Sequence, residues 1–141
     1  MYKINGKEVS EEEFFSCKED GLHEDYYDNG KLHYRVSYIN GQAHGLYEEY
    51  WNNGKLWYRV PVVNGQQHGL YEGYHDNGKL KYKTYYVNGQ EHGLCEYYYS
   101  NGKLEYKTYY VNGIERDDLL GDDKKLERLV IFGKEVLKEQ Q

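Results

Sequence analysis

The residues with ligating or proton-transfer chemistry in this sequence recur at one fixed spacing. His44, His68 and His92 stand 24 residues apart, each followed by Gly, and Glu24, Glu48, Glu72 and Glu96 keep the same period. Imidazoles in series suggest a metal, and carboxylates in series suggest general acid–base work. The period argues against both. In a stacked hairpin array, equivalent positions lie two strands, or roughly 9.6 Å, apart. Ligands of one zinc ion sit only ~2.0 Å from it, so such imidazoles cannot share a metal. Acid–base pairs need two carboxyls facing one reacting centre, and a column of them is not that. Cys17 and Cys95 do not recur and form no C-x-x-C pair, which predicts free thiols in a reducing compartment. The glycines fall in NGK and NGQ turns rather than in a phosphate-binding loop. The expectation is a protein with no catalytic residues, no metal and no cofactor. It is not expected to be an enzyme.

The elements that position these residues are themselves repeats. GLYEGYHDNGKLKYKTYYVNGQEH, from Gly69 to His92, has a copy beginning at Gly45, another at Gly93 and a fourth at Gly21, without gaps from Gly21 to Arg116. In the second copy, strands are expected over about Leu46–Trp51 and Leu56–Val63. The turns Asn53-Gly54 and Asn64-Gly65 both read as two-residue type I′ turns, where two successive residues take positive φ. Turns at both ends of every strand define a continuous antiparallel meander. With a two-residue turn, Trp51 faces Leu56 and Glu48 faces Arg59. The same arithmetic pairs Glu24 with Arg35, Glu72 with Lys83 and Glu96 with Lys107, one cross-strand ion pair per hairpin. A three-residue bulged turn would instead set Glu opposite Val or Thr. Pro61, which cannot donate to a ladder, is expected to stop or bulge its strand.

The flanks differ from the array. YKINGKEV, residues 2–9, reads as a hairpin around Asn5-Gly6. SEEEFFSCKED, residues 10–20, reads as a short helix capped by Ser10 and Glu13, with Phe14, Phe15 and Cys17 on an apolar side. It is an insertion of 11 residues into the period and is expected to cap the first strands. Residues 117–141 are read as a degenerate hairpin cap with its strands over 124–137; a helix from about Lys124 is the alternative. The expected fold is mainly β, a single-layer antiparallel meander of repeated hairpins with one short N-terminal helix, forming one repeat domain over 1–141.

Composition narrows the partner. A net charge of −6 lacks the basic clusters that a nucleic-acid backbone requires. The longest aliphatic run, Leu129 to Phe132, cannot span a membrane, and the first residues do not form a secretory signal; the expected location is cytoplasmic. The chain carries 19 Tyr, 2 Trp and 3 Phe, more aromatic surface than a thin sheet can bury. Leu46, Tyr50, Leu56 and Tyr58 recur unchanged in each copy and read as the frame. Other columns vary: His23/Tyr47/Tyr71/Cys95, Tyr27/Trp51/His75/Tyr99, His33/Trp57/Lys81/Glu105 and Ser37/Pro61/Tyr85/Tyr109. A constant frame with variable set positions predicts a recognition surface. Its candidate partner-binding residues are Trp51, Trp57, Tyr47, Tyr71, Tyr27, Tyr99, Tyr85 and Tyr109, since buried Trp and Tyr most often dominate interfaces.

The pattern Y-x-N-G-x-x-H-G-x-x-x-x-Y-x-x-N-G is met by YINGQAHGLYEEYWNNG (38–54) and YVNGQEHGLCEYYYSNG (86–102), and by 62–78 with Val in the first Tyr place. In these residues the chain resembles MORN-type repeats, in the bacterial variant found in antitoxin-like proteins. The resemblance implies an antiparallel hairpin array. It also implies a protein partner, a toxin or defence effector held and inhibited by an antitoxin, an immunity protein or a phage inhibitor. Other classes remain open: a structural scaffold or membrane-associated module, and a glycan binder whose rings stack on sugars. The two ends of a meander also leave a homodimer through sheet edges open.

Overall fold

The computed structural model describes residues 1–116 and Asp118; the closing hairpin expected over 124–137, like its helical alternative, lies outside the described residues. The chain begins with β1 (Tyr2–Ile4), β2 (Lys7–Val9) and α1 (Glu11–Ser16). The first repeat holds β3 (Gly21–Tyr26), β4 (Leu32–Ile39) and β5 (Gln42–Ala43). The second holds β6 (Gly45–Tyr50), β7 (Leu56–Val63) and β8 (Gln66–Gln67), and the third β9 (Gly69–Tyr74), β10 (Leu80–Val87) and β11 (Gln90–Glu91). The fourth holds β12 (Gly93–Tyr98), β13 (Leu104–Val111) and β14 (Ile114–Glu115). All strands join one antiparallel sheet ordered β14-β13-β12-β10-β9-β7-β6-β4-β3-β1-β2, with β5, β8 and β11 paired to β4, β7 and β10. The fold is the mainly β, single-layer meander with one N-terminal helix.

The two turn types of each repeat differ, which corrects the expected register in one detail. At Asn64-Gly65 both residues are left-handed, φ 51° and 79°, as a type I′ turn requires. At the other end only Gly54 is left-handed, at φ 89°. Trp51 O accepts from Gly54 N, and Trp51 N donates to Lys55 O at 2.8 Å, so three residues form the loop. The cause is the Asn53 side chain, whose Oδ1 accepts from Lys55 N at 2.9 Å and fixes an Asx turn. Asn29, Asn77 and Asn101 make the same bond. Trp51 therefore does not face Leu56; Tyr50 does.

A second irregularity restores the rest of the register. Glu49 pairs with Tyr58, so β7 carries one extra residue, Trp57, just after the turn. The bulge cancels the added loop residue, and Glu48 still faces Arg59. Its equivalents in the other hairpins are His33, Lys81 and Glu105. The ion pairs, however, run between repeats rather than within hairpins: Arg35 reaches Glu48 at 2.9 Å and Arg59 reaches Glu72 at 3.1 Å. Each Arg stands between two Glu, because β4 also pairs with β6, and β7 with β9. These contacts staple successive copies.

Pro61 does not stop its strand, since Leu46 and Gly45 pair regularly with Pro61 and Val62. Its carbonyl accepts from His68 N on the side facing β8 and β9, where the ladder already breaks at Gly69. A Cβ on Gly69, at φ 139°, would lie 2.7 Å from Pro61 Cγ, so glycine is required there. The helix forms where expected, with Ser10 Oγ accepting from Glu13 N at 3.1 Å. Phe14 is buried against Tyr2 at 4.8 Å between ring centroids, whereas Phe15, placed by sequence on the same apolar side, is 63 % exposed. Adjacent helical side chains diverge by about 100°, so Phe14 points into the sheet while Phe15 meets Tyr2 only edge-on, at 5.6 Å between ring centroids. Nor are the constant residues the best buried. Leu46 is 44 % exposed, while Val36, Val60, Thr84 and Thr108 form the buried column.

Candidate partner-binding face

Strand alternation divides the side chains between two faces. One face carries Leu46, Glu48 and Tyr50 with the Arg–Glu staples; the Tyr50 hydroxyl donates to Glu48 at 2.9 Å. The other carries a nearly unbroken row of rings. Tyr34–Tyr47, Tyr47–Tyr58 and Tyr58–Tyr71 stack at 5.8, 5.7 and 5.4 Å. Tyr71–Tyr82, Tyr82–Tyr97 and Tyr97–Tyr106 continue it at 5.5, 4.6 and 4.3 Å. Phe14 closes the row at the first end, 6.2 Å from Tyr34. Because the sheet is one layer thick, nothing among the described residues covers this row beyond the helix.

Carboxylates set into the row organise its hydroxyls. Glu49 accepts from Tyr47 and Tyr58, the former at 3.0 Å, and lies 3.2 Å from His33 Nε2. His33 Nδ1 lies 3.0 Å from Asp25 Oδ2. The Tyr82 hydroxyl bonds Glu91. Burial raises the phenol pKa of Tyr34 and Tyr86 to about 12, and raises those of Tyr47, Tyr58 and Tyr82 as well. At neutral pH these hydroxyls all keep their protons, and those of Tyr47, Tyr58 and Tyr82 donate to carboxylates.

The residues singled out by sequence divide between locations. Tyr47 and Tyr71 belong to the row. Trp57, on the bulge, is 38 % exposed and stacks on Trp51 at 4.6 Å and 26°. Trp51 Nε1 is buried and has no partner among the described residues. Tyr27 stacks on His33 at 4.3 Å and donates its hydroxyl to Tyr50 O, while Tyr99 lies exposed at the last turn of this kind. Tyr85 and Tyr109 face the opposite side, paired with Leu70 and Leu94. Tyr109 is only 4 % exposed. Sequence reasoning passed over Tyr34, Tyr58, Tyr82 and Tyr106 because their recurrence marked them as frame. The signal that could have found them is strand parity, which places them beside Tyr47 and Tyr71 once the register is known.

The repeating histidines cap turns. His68 Nδ1 and His92 Nδ1 accept from Asn88 N and Asn112 N at 2.9 and 3.3 Å, holding the Asn-Gly turn of the following unit. Asp20 does the same for Asn40, at 2.8 Å. Among the described residues no three His, Cys, Asp or Glu side chains are grouped to hold a metal, and no helix is long and apolar enough to cross a membrane.

A one-layer sheet of hairpin repeats with an open aromatic face and a stapled reverse face is a repeat-built interaction module. The family model of the MORN repeat variant matches residues 19–40, 43–64, 67–88 and 91–112, and the chain belongs to that family. Such modules generally bind proteins or membranes. No curated protein matches the chain.

Proposed function

We propose that this chain is a non-enzymatic module that holds and inhibits one partner protein, as an antitoxin, an immunity protein or a phage inhibitor of bacterial defence does. The observation that carries this reading is the row of packed rings from Tyr34 to Tyr106, covered by nothing but the helix among the described residues. Rigid Tyr and Trp side chains lose little conformational entropy when a partner covers them, so they supply affinity efficiently. Asp25 and Glu49 inside the row, with a net charge of −6, disfavour an anionic lipid surface and favour a protein. The free thiols of Cys17 and Cys95 suit a cytoplasmic site of action.

The test is affinity capture from native lysate with the wild type and a Trp51→Ala/Trp57→Ala variant. One stoichiometric protein, held by the wild type and lost by the variant, with its activity inhibited in the complex, supports the proposal. Capture of polysaccharide, capture of lipid, or equal retention by both chains contradicts it.

A further inference from the structure

The third repeat lacks a group that the first two supply. The equivalent positions of the first three copies are Asp25, Glu49 and Gly73. Asp25 accepts from His33, the bulge residue of its own hairpin, and Glu49 accepts from the hydroxyls of Tyr47 and Tyr58. The period carries those positions onto Lys81, Tyr71 and Tyr82; the third repeat keeps both tyrosines and has a lysine where the first has a histidine. Tyr82 turns its hydroxyl to Glu91. The Tyr71 hydroxyl has no hydrogen-bond partner among the described residues, and the exposed Lys81 ammonium pairs with no carboxylate among them.

Where the side chain is missing, the aromatic row opens into a notch of ≈ 290 Å³ whose lining includes Trp57, Tyr71, Gly73, Tyr74, Lys81 and Tyr97. Lys81 also lines the adjoining hollow, with Trp51 and Asp76. Asp76, which shares that hollow, forms no ion pair with Lys81 among the described residues, and Glu49 is engaged by Tyr47, Tyr58 and His33.

We infer that this notch is the receptor for a glutamate side chain of the partner protein. The carboxylate accepts from Tyr71 Oη and Lys81 Nζ, as Glu49 and Asp25 accept within the chain, and its stem packs among Trp57 and Tyr97. Charge-assisted hydrogen bonds in a ring-walled site give both strength and register. The inference rests on the partner-binding reading and specifies its point of contact.

Gly73→Glu supplies the missing carboxylate from the chain itself. Gly73 has no positive φ, and a Cβ there meets Tyr71 Cε1 at 3.4 Å, so the backbone accepts a side chain; the thermal melt of the variant checks that it folds. Random linear peptides displayed on phage are selected against the wild-type chain and their affinities measured by calorimetry. The enriched peptides are expected to share a Glu flanked by apolar residues. Changing that Glu to Gln, or using Lys81→Ala or Gly73→Glu chains, should weaken binding at least about tenfold each. Absence of an acidic consensus, failure to enrich any peptide, or unchanged affinity for the Gly73→Glu chain overturns the inference. So does free glutarate binding as tightly as the peptide, which would mark a small-molecule site. A partner captured from lysate by the Gly73→Glu chain but lost by the Trp51→Ala/Trp57→Ala chain would refute the glutamate site and leave the binding reading intact.

Discussion

The second and third repeats share a backbone plan but differ in how the aromatic row is finished. In the second, Glu49 fills the row and gathers two phenols and an imidazole. In the third, Gly73 leaves the same place open, with one phenol and one ammonium without protein partners among the described residues. A repeat that satisfies its own polar groups is a structural unit. A repeat that leaves donors unmet beside exposed rings has surface energy available to a partner. On the proposed reading, the difference points recognition to the third repeat of an otherwise uniform array.

The contrast can be broken most severely from the second repeat. Glu49→Ala strips the acceptor from Tyr47 and Tyr58 and is expected to cost ~2–4 kcal/mol of stability, read by urea denaturation. Gly73→Ala, the matching change in the third repeat, should be near neutral, because no acceptor is lost there. Equal losses at the two sites would erase the distinction. A turn glycine gives the next largest effect. Gly54→Val forces a β-branched residue to φ 89° and should cost ~1–3 kcal/mol, seen as a lowered Tm. Trp57→Ala should leave Tm within a few degrees yet weaken partner binding by ~1–2 kcal/mol, because the ring is exposed on a bulge.

The smallest expected effect is a pH dependence at the end of the third repeat. Burial lowers the His92 pKa below its ordinary value of 6.5, and its Nδ1 must stay unprotonated to accept from Asn112 N. The unfolded chain therefore takes up the proton first. Stability from this residue is complete above pH 6.5 and is lost as pH falls through the depressed folded value. Tm should drop between pH 7.5 and 5, and His92→Gln should flatten that part of the curve.

Much of the fold was legible because each copy restates it. Asn-Gly pairs at a constant interval defined the meander, and Ser10 with Glu13 marked the helix start. The turn at Asn53-Gly54 was misread because Asn-Gly suits a type I′ turn in general, and only the bond from Lys55 N to the Asn53 side chain selects the bulged form here. The ion-pair register survived, since a bulge at Trp57 offset the longer loop. No feature of one hairpin's sequence announces that cancellation. The Trp pair, Tyr47 and Tyr71 stood out in the sequence as variation between copies. The notch did not, because glycine normally signals backbone freedom, and here its meaning lies in the acid it replaces.

The most direct test of the account is oxidative footprinting of the chain alone and in complex with its captured partner. The two faces differ in their exposed aromatics, so protection reports which one is covered. Protection of Trp57, Tyr71 and Tyr97, with Tyr85 and Tyr98 on the stapled face unchanged, is the expected result. Protection of Tyr85 and Tyr98 while Trp57 stays reactive would contradict the aromatic face as the recognition surface.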